Sequence, residues 1–226
     1  CSSDLFPLFE DAIIVLSMER NIRHKRWDAT FDFVRRLSEK TGRTVQLIAH
    51  TKKVVKGAPN VLPGFDLPKL EEAYGLSNHV AYTDFDWSRG FTQDEMNELY
   101  AVCDLRISTS EGEGFGIGTV EAAFTQCLQV VNSHTTMPEL LGADSKSLVS
   151  SAFTEFDRSS LWEVPNVSGM VDRAVDLLKP SQIDSRNQVT TEAYKHARAA
   201  FESSKVIKQW LELLESSQDD FTWYTH

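Results

Sequence analysis

Cysteine is scarce in this 226-residue chain: there are three, Cys1, Cys103 and Cys127. They are odd in number and far apart, so neither a disulfide framework nor a zinc-ligand spacing can be read from them. That points to a reducing, cytoplasmic setting. Long apolar runs are missing too; none approaches the roughly 18 residues that read as a membrane-spanning helix. An excess of positive charge is also absent. Lys and Arg total 23 against 33 Asp and Glu, a net charge of −10 with a pI near 5.1. This excludes the broad basic face that nucleic-acid binding needs, though not a local basic pocket. The six histidines have no metal-ligand spacing, and no Ser/His/Asp motif accompanies them. No repeat or low-complexity segment is found. What is present is an apolar share of 41%, ordinary for a chain with a real core. The length suits one large domain or two small ones.

Apolar runs and helical periods alternate along the first two thirds. Residues 12–16, Ala-Ile-Ile-Val-Leu, form a continuous apolar run, the mark of a strand buried on both faces. Residues 27–40 carry Trp27, Phe31, Val34 and Leu37 at helical spacing, and Gly42 ends the segment. Strands are then expected at 45–49, 80–82, 105–108, 127–132 and 147–149. Helices are expected at 70–74, at 93–102 behind a Thr92/Glu95 capping box, at 138–141 and at 167–178. Residues 56–68 read as a loop and 150–165 as irregular. Pro180 breaks the chain before two further helices at 185–203 and 205–215. This order predicts an α/β domain: a Rossmann-like parallel sheet with helices on both faces, plus C-terminal helices. Ligands of such sheets bind beyond the carboxyl ends of the strands.

One such end carries the densest signal, Ser108-Thr-Ser-Glu-Gly-Glu-Gly-Phe-Gly-Ile-Gly-Thr-Val-Glu121. Four glycines in seven residues allow a tight turn and bare amides at a helix start, which attracts anions. The glycines match neither the dinucleotide fingerprint nor the Gly-Lys-Ser/Thr ending of a P-loop. Two carboxylates, Glu113 and Glu121, stand eight residues apart, one before the helix and one about a turn inside it. Glu111 is set aside by spacing. A second site follows the first strand, where Arg20, Arg23, Lys25 and Arg26 cluster in an otherwise acidic chain. Cations at a helix start oppose its dipole, which argues against a purely solvated role. Arg23 and Arg26 are expected to face solvent, and His134 to lie at the surface. The aromatic tail, Phe221-Thr-Trp-Tyr224, is expected to dock on something outside the chain.

The stretch Glu113-Gly-Phe-Gly-Ile-Gly-Thr-Val-Glu121 resembles the E-x7-E signature of retaining glycosyltransferases of the two-lobed B-type fold, the glycogen-synthase-like and mannosyltransferase-like group. Val130-Val-Asn-Ser133 and Met137-Pro-Glu-Leu-Leu141 resemble that family's next strand and helix start. The resemblance covers residues 12–180 and implies one lobe of such an enzyme, the C-terminal donor-binding domain. It implies that Arg20 and Lys25 hold a donor diphosphate, as a guanidinium fork and an ammonium suit that charge. It implies that Glu113 meets the donor sugar beside the reacting carbon, and that Glu121 accepts both ribose hydroxyls. The backbone of Gly114, Phe115, Gly116 and Ile117 would meet sugar or phosphate, and the base would lie near Thr83, Asp84 and Phe85. The implied substrates are a nucleotide-diphosphate sugar and an acceptor glycan, lipid or other hydroxyl compound, with no metal and no cofactor. Residues 1–11 read as an interdomain linker remnant, 12–180 as the nucleotide-sugar domain and 181–226 as C-terminal helices and tail, with an N-terminal lobe or partner chain elsewhere. The chain departs from the family at Gln126 and Leu128, where Gly and Pro are usual, and at Thr135-Thr136, where a glycine pair is usual. The alternatives are a nucleotide-sugar or nucleotide-diphosphate binding module or subunit without turnover, and an epimerase or phosphorylase of the same fold.

Overall fold

The computed structural model describes residues 11–56, 64–83, 90–157 and 160–217. Its centre is a six-stranded sheet, every neighbouring pair parallel, in the order β3-β2-β1-β4-β5-β6. The strands are β1 (Ile13–Ser17), β2 (Val45–Ala49), β3 (Val80–Tyr82), β4 (Leu105–Ser108), β5 (Gln129–Ser133) and β6 (Leu148–Ser150). The expected alternation holds because the strand runs are buried on both sides. Ile13 and Val15 face one core, whereas Ile14 and Leu16 face the other. Against the first side lie α1 (Trp27–Thr41), α2 (Leu67–Tyr74) and α6 (Val167–Leu178), with Trp27, Phe31, Phe33 and Leu37 fully enclosed. The second side carries α3 (Gln93–Val102), α4 (Ile117–Phe124) and α5 (Met137–Leu141).

Local signals placed the ends. Thr92 and Glu95 form the predicted capping box of α3, and Gly42 caps α1 in the left-handed conformation. Helix α2 starts three residues earlier than expected, because Asp66 caps it and Pro68 is accepted in its first turn. After the Pro180 break come α7 (Ile183–Phe201) and α8 (Ser203–Ser217). Helix α7 lays Ala193 and Ala197 against Val120 and Ala123 of α4.

The stretch expected to be irregular, 150–165, is instead an antiparallel hairpin, β7 (Phe153–Asp157) and β8 (Ser160–Val164). Its pleat alternates, but Phe156 and Leu161 face solvent, so the inward apolar side is only Trp162 and Val164, too short a pattern to mark a strand. The expected linker residues before Asp11, and the tail at 221–224, lie outside the described residues.

Candidate functional site

Strand order reverses between β1 and β4. The connection from β1 runs toward β2 on one side, and that from β4 toward β5 on the other. Such a switch point opens a crevice at the carboxyl ends of the two strands. Both motifs sit there: residues 18–26 follow β1 and residues 109–116 follow β4. A cleft of about 330 Å³ opens between them, lined by Met18, Glu19, Arg20, Lys25, Arg106, Glu113 and residues 115–118.

The two loops are stitched to each other. The Glu111 amide donates to the His24 carbonyl at 2.9 Å, and the Thr109 hydroxyl donates to the Arg26 carbonyl at 3.0 Å. After a short 3-10 turn at Arg23–Lys25, Arg26 takes a left-handed conformation, φ 50°, and α1 begins. Arg26 does not face solvent as expected. It pairs with Asp28 at 3.0 Å and with Glu111 at 2.5 Å, which holds its uncommon backbone in place. Glu111 is thus a structural partner, consistent with its being set aside. Arg23 is exposed, as expected.

The hairpin covers one flank. Its Trp162 ring stacks on His24 at 5.1 Å between centroids and lies so close to Gly112 that a Cβ there would sit 3.2 Å from the ring. The Glu163 amide donates to the Glu111 carbonyl, and Asn132 donates to the carbonyls of Ser110 and Glu163.

Lys25 and Glu113, read from the sequence as neighbours of one ligand, form an ion pair. Lys25 is 4% exposed. Its ammonium also reaches Ser110 at 3.4 Å and a residue not singled out from the sequence, Glu19, at 3.3 Å. Glu19 is buried beside Arg106, 3.7 Å away, and accepts from the Ser108 hydroxyl at 2.8 Å. Arg106 stands in the middle of β4, donates to Thr119 and Gln129 and keeps an Nε with no partner among the described residues. A buried chain of charge, Arg106–Glu19–Lys25–Glu113, therefore runs under the cleft. Burial pushes the Glu19 carboxyl above its ordinary value, against the pull of Lys25 and Arg106. Burial also works to raise Glu113, but the Lys25 hydrogen bond and charge outweigh it and hold that carboxyl low. A charged residue amid the apolar run of β4 was the signal for Arg106. Glu19 gave none beyond its place beside Arg20.

Arg20 is exposed at the cleft mouth, its guanidinium without an ion-pair partner among the described residues. Phe115, Gly116 and Ile117 line the cleft. Gly116 needs to be glycine, since φ is 98° and a Cβ would stand 2.6 Å from Met137 Cε. Gly118 lets the Arg106 guanidinium approach the first turn of α4, where a Cβ would be 3.0 Å away. Gly114 is exposed and does not line the cleft. Glu121 lies one turn inside α4, half-buried, and accepts from the Tyr100 hydroxyl at 2.8 Å. Thr83 directly follows β3, two strands from β1. Its buried hydroxyl has no partner among the described residues, and the same is true of Ser17 at the end of β1 and Thr51 just past β2. Asp84 and Phe85 lie outside the described residues. His134 is buried, not at the surface as expected, because the β5–α5 turn folds it inward, 2.8 Å from the Thr135 hydroxyl. Burial pushes its imidazole down to about 4. Thr135 and Thr136 grip the glycine loop itself, bonding the Glu113 and Phe115 backbone.

No family model matches the sequence. One stretch of 75 residues, a third of this chain, is 33% identical to the serotype-specific mannosyltransferase WbdA of Escherichia coli, covering 9% of that protein. Among solved structures, HepE of Anabaena in complex with UDP and glucose superposes with a TM-score of 0.68 at 19% identity, over 91% of this chain and 49% of that one. Sucrose-phosphate synthase of Thermosynechococcus elongatus gives 0.68 at 14% identity, over 97% and 49%. The C-terminal domain of the glycosyl transferase group 1 protein LpcC of Francisella tularensis gives 0.61 at 16% identity, over 84% of this chain and 87% of that domain. The chain thus spans about half the length of the first two structures and under a tenth of the curated relative. With its sheet order, its switch-point cleft and these neighbours, the chain has the fold of one Rossmann-like lobe of the two-lobed B-type glycosyltransferases.

Proposed function

We propose that this chain is the donor-binding lobe of a retaining glycosyltransferase. It binds a nucleotide-diphosphate sugar whose anomeric carbon leaves the diphosphate oxygen and bonds to an acceptor hydroxyl of a glycan, lipid or other compound. The observation that carries this reading is the convergence of Arg20, Lys25 and Glu113 on one cleft floored by the start of α4. Arg20, exposed at the mouth, meets the diphosphate first. Lys25 exchanges Glu113 for a phosphate oxygen and neutralises the leaving group with the amides of Ile117 and Gly118. Glu113, released from Lys25, turns to hydroxyls of the donor sugar. Glu121, held by Tyr100, offers its second oxygen to the ribose. The base lies toward the carboxyl ends of β2 and β3, near Thr83. The acceptor comes from a facing lobe, in the same protein or a partner chain, and no metal takes part.

A second reading, a binding module without turnover, draws support from Thr135 and Thr136, whose hydroxyls occupy backbone groups of the very loop that would face the sugar.

Thermal stability measured with UDP, GDP and ADP tests the donor site. One of them at millimolar concentration should raise the melting temperature by RT ln(1 + [L]/Kd) in free energy, and Lys25→Ala should weaken the diphosphate more than the nucleoside. No shift with any of the three defeats the reading. Donor hydrolysis or transfer by the chain defeats the module.

A further inference from the structure

The cleft holds an acid where an anion is expected to bind. Glu19 lines it, its side chain 6% exposed. Its Oε1 accepts from Ser108 of β4 at 2.8 Å. The charged groups facing it are Lys25 from its own loop, Arg106 from β4 and Glu113 from the loop before α4, with Arg20 lining the same cleft. Two carboxylates therefore share one ammonium, with Arg106 behind. A diphosphate arriving at Lys25 makes three anionic groups around that enclosed ammonium, and like charges so close favour protonation of one of them.

We propose that Glu19 sets the anion charge this cleft accepts, taking up one proton from solvent as a diphosphate settles against Arg20 and Lys25. The proposal rests on the donor-site reading above. Protonated, Glu19 still accepts from Ser108 and gains an O–H donor, which a phosphate oxygen or Glu113 can accept. Glu113 is the poorer proton acceptor of the two, because Lys25 stabilises its ionised form while burial disfavours that of Glu19. Binding coupled to proton uptake strengthens as pH falls. A Glu19 that served only as structural counter-ion to Arg106 predicts the opposite for its removal: a loosened site and weaker binding.

Calorimetry separates the two. The intact chain is titrated with UDP, GDP, ADP, their nucleosides and inorganic pyrophosphate, in buffers of low and high ionisation heat, across about pH 6 to 8. The wild type is expected to take up a measurable fraction of a proton per diphosphate bound and none with the nucleoside. Glu19→Gln keeps the shape and the Ser108 contact. It should lose that uptake and bind the diphosphate about tenfold tighter near pH 7.5, which is about 1.4 kcal/mol, with the nucleoside unchanged. The terminal phosphate's own titration is common to both proteins and cancels between them. Equal uptake in Glu19→Gln, or weaker diphosphate binding, overturns the proposal. Should the variant fail to fold, wild-type binding without proton uptake overturns it alone and leaves the donor site standing. Binding of neither nucleotide nor pyrophosphate overturns both.

Discussion

Lys25 and Trp27 are two residues apart and almost equally enclosed, yet opposite physics holds them. Trp27 opens α1 and buries its ring in the apolar core beside the sheet. Its stability is area removed from water, non-directional and tolerant of small shifts. Lys25 is enclosed by Glu19, Glu113 and Ser110. Its charge costs desolvation energy that only close, specific partners repay. The apolar side of this boundary makes the lobe stable, while the charged side depends on directional partners. The lesson is that the site is expensive and depends on the core two residues away to hold its shape.

That contrast can be broken at its strong end first. Trp27→Ala should destabilise the chain by about 3–5 kcal/mol, read as a lower urea midpoint, and should abolish nucleotide binding with it. A variant that binds normally despite that loss would separate core from site. Lys25→Met should cost about 3 kcal/mol, because it leaves Glu19 and Glu113 without their shared cation. Adding Glu19→Gln should return part of the stability in a double-mutant cycle, while the diphosphate affinity stays below that of Glu19→Gln alone because the ammonium is still missing; an affinity equal to that of Glu19→Gln would mean that Lys25 is structural.

A third test uses pH. His134 has its imidazole lowered to about 4, by burial first and by Lys25 second, with Glu113 and Glu163 opposing. Its folded state refuses a proton that the unfolded chain accepts near 6.5. Stability is thus full above about pH 6.5 and is lost as pH falls toward 4, by about 2 kcal/mol at pH 5 and about 3 kcal/mol at pH 4. Glu113, held low by Lys25, loses its own contribution only below its ordinary range, near 4.5, so the two windows separate. A His134→Gln variant whose urea midpoint falls as steeply as the wild type between pH 6.5 and 5 would assign that loss elsewhere. The smallest effect belongs to the solvent side of α1. Arg35 and Glu39 pair at 2.7 Å on an exposed face, and Glu39→Gln should move stability by less than about 0.5 kcal/mol, less still in high salt.

Legibility followed the same boundary. Strand β2, strand β3, the α3 capping box and the extent of α6 were readable, because periodicity and capping are local. The resemblance implied that Lys25 and Glu113 serve one ligand; that they are partners of each other was not readable. The β7–β8 hairpin was not, since its apolar side chains point outward at Phe156 and Leu161, and its inward side rests on Trp162, over His24 and Gly112, and on Val164. Glu19 looked like part of a basic loop, and Arg106 like a lone charge in an apolar run; their meeting depends on two strands 90 residues apart lying side by side.

Residue order alone determined the parallel sheet, the helices on both of its sides and the glycine turn after β4, since burial patterns, caps and glycines act within a few residues. Only the tertiary structure decided that β1 and β4 are neighbours at the point where the sheet reverses direction. That adjacency gathers Arg106, Glu19, Lys25 and Glu113 into one buried chain of charge, because Coulombic partnership depends on distance in space and is blind to distance along the chain.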